Sequence, residues 1–296
     1  MSSRVDSAVT FREMTAQDIP AGLTLCRASG WNQVERDWRR FLETQPGGAL
    51  VAERDSRVIG TVATMRYGRR FAWVAMVLVD PAERSRGVGR ALLTRGLSLL
   101  DDVETVRLDA TPAGEPLYKT LGFVEEARFS RLQLAPGSAR MAIAPDPVSA
   151  RVVTVRPLAP VDWDDIAAFD ARVFGVDRRA MLEWLWAGAP QYAWVARDGD
   201  QLVGYVLGRS GHLFEHLGPV IANDAGTAAR LLTACLPSRA EHAFVVDAPL
   251  DQVEWRRFLA ATGFVEQRPF FRMSRGRPAP AGLPAHLFAT IGPEFG

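Results

Sequence analysis

The sequence predicts an α/β (α+β) fold made twice over, each copy a mixed sheet flanked by helices. Three observations carry this. An ordered internal repeat runs through the chain, strand-like and helix-like segments follow in the same order in both halves, and one strand–glycine loop–helix junction stands near residue 85. At 296 residues, with 48% apolar and 23% charged residues, the chain has material for two cores of ordinary size.

The repeat is read from paired positions. Thr10-Phe11-Arg12 with Asp18 returns as Thr154-Val155-Arg156 with Asp162, and Val51-Ala52 with Val58-Ile59-Gly60 returns as Val195-Ala196 with Leu202-Val203-Gly204, all 144 positions apart. Leu121-Gly122-Phe123-Val124-Glu125 returns as Thr262-Gly263-Phe264-Val265-Glu266 at an offset of 141. A near-constant offset over an ordered series indicates two copies of one fold, and the period is too long for a solenoid. The expected boundaries are 9–135 and 151–276 for the two domains, 136–150 for a linker rich in Pro, Ala, Ser and Gly, and 277–296 for a tail.

In each half a short strand (Val9 to Met14; Val152 to Leu158) leads into a helix entered near Asp18 or Asp162. A second helix is expected near Gln33 to Leu42 and again near Arg178 to Ala187. Strands at Ala49 to Glu53 and Arg57 to Met65 follow, joined by Arg54-Asp55-Ser56, with Arg197 to Asp200 as the second turn. The apolar run Phe71 to Val79 stops at Asp80-Pro81, because Pro cannot continue a central ladder. Leu92, Leu93, Leu97 and Leu100 make a stripe at helical spacing over Val88 to Leu100. Val103 to Ala110 reads as a strand and Leu117 to Leu121 as a short helix ended by Gly122. Phe270 to Met273 reads as a closing strand, and Leu287 to Ile291 makes the tail apolar enough to dock on the body.

Bulk properties exclude several classes. A formal net charge of +1 gives no field for gathering nucleic acid or an anionic membrane. Cys26 and Cys235 are the only cysteines, so neither a disulfide framework nor a zinc cluster is expected, and no metal is assigned. Met1 to Thr10 lacks the apolar core of a signal peptide and no run approaches the roughly 20 apolar residues of a membrane span, so a cytoplasmic protein is expected.

The sharpest chemical feature is Val79-Asp80-Pro81-Ala82-Glu83-Arg84-Ser85-Arg86-Gly87-Val88-Gly89-Arg90. A strand end, two glycines and a helix start turn several unpaired backbone N–H groups and the positive end of a helix dipole toward one point. Glycines allow close approach to an anion, and Arg84, Arg86 and Arg90 add charge, so the junction suits a pyrophosphate. An Arg-rich glycine turn can also be a solvated cap. The three-glycine dinucleotide fingerprint and the Gly-Lys-Ser/Thr phosphate loop are both absent.

The surroundings decide. Arg-x-x-Gly-x-Gly after a Val-x-Pro strand end resembles the acetyl-CoA signature of the GNAT acyltransferases, and Tyr118-Lys119-Thr120-Leu121-Gly122-Phe123 resembles their Tyr-x-x-x-Gly-Phe signature. The resemblance implies two tandem GNAT folds, each with a mostly antiparallel twisted sheet. It implies that the backbone of Val77, Leu78 and Val79 holds the pantetheine arm of acetyl-CoA. Arg84, Ser85, Arg86, Gly87, Val88, Gly89 and Arg90 then receive the pyrophosphate. Tyr118 matches the residue that protonates the departing thiolate, apt for a phenol of ordinary pKa ~10. An alkylammonium of pKa ~10.4 must lose a proton before it attacks, and GNAT enzymes often use an acid as base. Here Val106 and Thr111 stand at two positions where relatives carry polar groups, and Asp109 is the nearest candidate. Trp31, Asn32, Trp38 and Trp73 fall on the elements that wall the acceptor cleft in this fold, although core packing is the default for any one Trp.

The second half keeps the pattern and loses the site. Gly218 to Ala229 has no arginine, a single glycine after the strand run, and Asp224 near the phosphate position; Leu259 stands where Tyr118 would recur. This copy is expected to be non-catalytic. His212, Glu215 and His216 are placed before its central strand, too weak a set for a metal. The expected activity is acetyl transfer from acetyl-CoA to a primary amine of a small molecule, by a monomer or homodimer. Acetylation of a protein or peptide and a non-catalytic CoA sensor are the alternatives.

Overall fold

Arginine and aspartate at the start of each repeat find one another, and this fixes the entry to both copies. The computed structural model of the chain describes residues 8–140, 153–278 and 282–296. In the first copy β1 (Thr10–Glu13) carries Arg12, whose guanidinium donates at 2.8 Å to each oxygen of Asp18, while the Thr15 N–H donates to Asp18 Oδ2. The chain then turns into α1 (Ile19–Ala28), with Pro20 in its first turn. In the second copy β7 (Thr154–Pro157) carries Arg156, which donates at 2.7 Å to both oxygens of Asp162, and the Ala159 N–H completes the set before α5 (Trp163–Phe174).

Two compact units form, Met1–Leu108 with Phe295, and Asp109–Glu294 with Gly296. In unit 1 the helices α1, α2 (Glu35–Thr44) and α3 (Val88–Ser98) accompany β1, β2 (Ala49–Arg54), β3 (Arg57–Tyr67), β4 (Phe71–Val79) and the start of β5 (Thr105–Ala110). The sheet order is β1-β2-β3-β4-β5, antiparallel except for the parallel β4–β5 pair. Leu92, Leu93, Leu97 and Leu100 are buried as their spacing requires, and Gly60 lets α3 lie close, since a Cβ there would meet Leu92 Cδ1 at 2.9 Å.

Unit 2 holds α4 (Glu115–Thr120), β6 (Val124–Leu134), β7 and α5. It continues with α6 (Arg179–Gly188), β8 (Trp194–Asp198), β9 (Gln201–Arg209), β10 (Glu215–Ala222), α7 (Ala225–Cys235), β11 (Phe244–Pro249), α8 (Val253–Thr262), β12 (Val265–Gly276) and β13 (Leu287–Ala289). Its strand order is β12-β6-β11-β10-β9-β8-β7, with β13 on β10. The mixed, mostly antiparallel sheet flanked by helices that the sequence predicts is thus present in each copy. The compact units do not divide where the repeats do: β6 belongs to the first repeat by sequence, yet lies between β11 and β12 of the second. The expected linker, 136–150, lies outside the described residues from 141 on, as does 279–281 of the expected tail.

Asp162 is fully buried and also accepts from Arg197 at 2.8 and 3.1 Å. Burial pulls its pKa upward, but hydrogen bonds from Arg156, the Ala159 N–H and Arg197 outweigh this and hold it at about 2; Asp18, bound chiefly by Arg12, also sits at about 2. Both folded values lie below the ordinary 3.8. Their stabilisation is therefore complete above about pH 4 and lost as pH falls through about 2. Asp162→Asn, which removes an acceptor from two guanidinium groups, is expected to cost about 2 kcal/mol in denaturant unfolding at pH 7. The difference between variant and parent should shrink below pH 3.

Candidate functional site

β4 is bent before it reaches the loop. Thr61 pairs with Leu78 and Ala63 with Ala75, so an extra residue bulges from β4; Met76 holds the left-handed φ of +54° there, and its carbonyl accepts from Thr61 Oγ1 at 2.7 Å. A non-glycine residue with positive φ carries strain that neighbouring structure must enforce. Bulges redirect a strand and end its pairing. The parallel register with β5 joins Phe71–Trp73 to Thr105–Arg107 and, among the described residues, goes no further. The β4 backbone from Val77 to Val79 is thus left with one strand neighbour, β3.

At the end of β4, Asp80 caps a single turn, its Oδ1 accepting from the Ala82 N–H at 2.9 Å. The chain then passes Ser85 at φ +62° and Gly87 at φ +82° before α3 begins. Two left-handed residues separated by one turn the backbone amides inward, the concave arrangement that binds anions. The N–H groups of Ser85, Arg86, Gly87, Val88 and Gly89 find no acceptor among the described residues; the first bond of α3 runs from the Ala91 N–H to the Gly87 carbonyl. Five successive free donors at a helix N-terminus are the strongest chemical feature of unit 1.

Side chains hold this turn from below. Glu83 accepts from Arg54 at 2.7 Å and from Arg86 at 3.4 Å, Asp80 from Arg57, and the Val79 carbonyl from Arg84 Nε at 3.1 Å. Arg84, Arg86 and Arg90 are exposed, so a positive surplus faces solvent around the five amides. None of these braces was foreseen: no local signal links Arg54 and Arg57 to a turn some 25 residues later. Further along α3, the Arg95 guanidinium lies over the ring of Phe11 at 3.9 Å.

In unit 2, Tyr118 is half-buried on α4, its ring edge-on to the buried Phe123 at 6.0 Å between centroids. The Phe123 N–H donates to the Tyr118 carbonyl at 3.2 Å, which explains the motif spacing: the phenylalanine is the anchor. Burial pushes the phenol up to about 12. Asp109 is buried, and both its oxygens accept from Arg272 of β12, at 2.9 and 3.0 Å. A carboxylate so held is poorly placed to take a proton from an amine.

The four acceptor-side residues separate. Trp38 and Trp73 are fully buried core side chains, with Trp38 against the space over Gly22 and Trp73 against Phe71, so neither walls an open cleft. Asn32 is buried at 2% exposure. Trp31, half-buried between α1 and α2 with its carbonyl accepting from Arg27, keeps an open face.

The second copy's counterpart of this junction is filled by the chain itself. β10 and β11 pair in parallel only at Glu215–Phe244 and His216–Val245. Beyond that point β13 adds antiparallel to β10, Val220 opposite Ala289 and Ile221 opposite Leu287. Gln252 Nε2 donates to the carbonyls of Ala285 and Leu287, and His286 Nδ1 lies 3.0 Å from the Ala222 carbonyl. The approach is close: a Cβ at Gly218 would lie 1.9 Å from the Thr290 carbonyl. At the head of α7 the Asp224 side chain takes the Thr227 N–H at 2.7 Å, where the first copy presents free donors. Leu259 is a core residue. Glu215 and His216, expected before this strand, lie in it and are buried; His212 is exposed. Among the described residues no group of three or more His, Cys, Asp or Glu could hold a metal, and no helix is long and apolar enough to cross a membrane.

Two family models match the chain, each described as an acetyltransferase (GNAT) domain, over residues 45–125 and 166–289. The chain is similar to holothin acyltransferase of Pseudoalteromonas sp. (strain SANK 73390), 26% identical over 305 residues with 100% of both chains covered. It is also similar to an uncharacterized N-acetyltransferase, YitH, of Bacillus subtilis (strain 168), 24% identical with 99% of each covered. Among solved structures, a candidate acetyltransferase of Pyrococcus horikoshii shares the fold with a TM-score of 0.78 at 21% identity, over 97% of this chain and 96% of that one.

Proposed function

From the premise that this chain belongs to the acetyltransferase (GNAT) superfamily, as an acyltransferase with two such domains in tandem, we propose that its first copy transfers an acetyl group from acetyl-CoA to a primary amine of a small molecule. The observation that carries the cosubstrate is the row of five unaccepted N–H groups from Ser85 to Gly89, between a bulged strand and a helix start. A diphosphate offers oxygens enough for all five, and its charge meets Arg84, Arg86 and Arg90. The backbone of Val77, Leu78 and Val79 would take the pantetheine amides as a further strand takes its neighbour. Bound acetyl-CoA supplies the activated acyl group.

In this reading the Tyr118 hydroxyl donates a proton to the departing sulfur, a role resting on the motif match. Asp109 serves as the buried partner of Arg272 rather than as the base. Trp31 is the remaining candidate for acceptor contact. With β13 on β10 and Asp224 over the α7 amides, the second copy takes no cofactor, so the chain binds one CoA. Full-length similarity to an enzyme named for acylating holothin supports a small-molecule acceptor over a protein. A panel of small amines and unstructured peptides, each with acetyl-CoA and free thiol followed, tests this. Saturable thiol release with at least one small amine and none with the peptides is expected; the reverse pattern would point to protein acetylation.

A further inference from the structure

The turn that presents the five amides carries two carboxylates of its own, Asp80 and Glu83. A diphosphate laid on Ser85 to Gly89 would meet like charge just before the first amide, which opposes its binding. The β2–β3 hairpin answers this. Its tip is the two-residue turn Asp55-Ser56, both in the left-handed region at φ +51° and +60°, so Arg54 and Arg57 stand directly opposite one another across the strands. Like charges in that relation repel. Each is met instead by a carboxylate of the turn: Arg54 Nη1 donates to Glu83 Oε2 at 2.7 Å, and Arg57 donates to Asp80.

The two carboxylates differ in what else they hold. The other oxygen of Asp80 accepts from the Ala82 N–H at 2.9 Å, so this side chain serves the shape of the turn. Glu83 Oε2 accepts from a second guanidinium, that of Arg86, at 3.4 Å. The contact with Arg54 is short and sheltered, both side chains being 15% exposed, whereas the contact with Arg86 is long and its arginine is 54% exposed. Sheltered pairs are screened less, so Arg54–Glu83 is the firm pair and Arg86 is the member able to leave. Arg86 also belongs to the row of five amides, where a diphosphate would draw its charge. Its departure from a Glu83 with no second guanidinium would strand a largely buried carboxylate beside the phosphates. Arg54 prevents this, because it stays.

We propose that Arg54 is a positioning residue for the cosubstrate: it keeps Glu83 neutralised while Arg86 passes from Glu83 to the diphosphate of CoA. Arg54 itself acts only through Glu83. The proposal rests on the reading of Ser85 to Gly89 as the diphosphate site and adds to it a residue from a separate hairpin of unit 1. A neutraliser of charge and a brace of shape make opposite demands on Glu83. If Arg54 neutralises, taking the charge off Glu83 repairs the loss of Arg54; if it only braces the turn, removing Glu83 as well leaves the loss in place or deepens it.

The test compares the Kd of CoA for the full chain and for its Arg54→Met, Glu83→Gln and doubly substituted variants, by calorimetry at low salt. Arg54→Met is expected to weaken CoA binding about tenfold, because Glu83 then holds Arg86 and sets an uncompensated charge near the phosphates. Glu83→Gln alone should bind CoA at least as tightly as the parent, and the double variant should return to within about threefold of it. Parent-like binding by Arg54→Met, or a double variant as weak as Arg54→Met, would overturn the proposal. If Arg54→Met does not fold, Glu83→Gln decides alone: affinity kept or raised supports the role, and a loss of more than about threefold rejects it. A parent that binds no CoA removes the diphosphate reading itself, whereas a binding parent with an unrescued double variant removes only the role of Arg54.

Discussion

Replacing Tyr118 by phenylalanine is expected to lower kcat about a hundredfold while leaving the affinity for CoA within twofold. The variant keeps the ring that meets Phe123 edge-on and removes only the hydroxyl. Packing and stability should change little, and the loss should fall on the proton delivered as the sulfur leaves. A positioned acid contributes about 10²–10⁴-fold, so a hundredfold loss, about 2.7 kcal/mol of barrier, is the modest end. The pH dependence separates this role from a packing role. Burial raises the phenol to about 12, so Tyr118 holds its proton across the working range. A fall in activity on the acid side should follow protonation of the acceptor amine, and no alkaline loss below about pH 11 should trace to Tyr118. Unchanged kcat in the variant would reject Tyr118 as the proton donor and leave that role to another group.

The second large effect is expected at the turn itself. Gly87 holds φ +82° with nothing within 4 Å of where a Cβ would stand, so substitution there strains the backbone without a clash. Gly87→Val asks a β-branched residue to occupy the left-handed region, at roughly 1–2 kcal/mol. The chain can relieve that strain only by rotating the amides of Arg86 to Gly89 away from their common point. CoA affinity should fall about 30-fold, roughly 2 kcal/mol, measured as Kd, with a smaller loss of thermal stability. Arg86→Glu offers a contrast without backbone strain. Arg86 is exposed and only loosely paired with Glu83, so stability should hold while CoA affinity falls, and falls less at high salt.

Much of this was legible from the residues because it is local. The Phe71–Val79 run has the bounds of β4, since Pro81 cannot extend a ladder, and the four-leucine stripe marks α3. The Arg12–Asp18 and Arg156–Asp162 pairs recur because the same turn recurs. What escaped notice is contact between distant segments. Nothing near Asp109 announces Arg272, 163 positions on, so a structural carboxylate resembles a base. Trp38 and Trp73 carry no mark that separates a core ring from a cleft wall. Met76 does not advertise a positive φ, because the strain is imposed by the register of β3. The tail was legible as apolar but not as a strand, for β13 is three residues long and its order comes from β10 and Gln252. The exchange of β6 into the neighbourhood of β11 and β12 is likewise invisible to a repeat count.

Calorimetric titration of the intact chain with CoA bears most directly on the Ser85–Gly89 amides as the cosubstrate's anchor. A single saturable event with one CoA per chain, weakened by Gly87→Val and by Arg86→Glu, is the predicted outcome. No saturable heat, two equivalents per chain, or binding indifferent to both substitutions would contradict it.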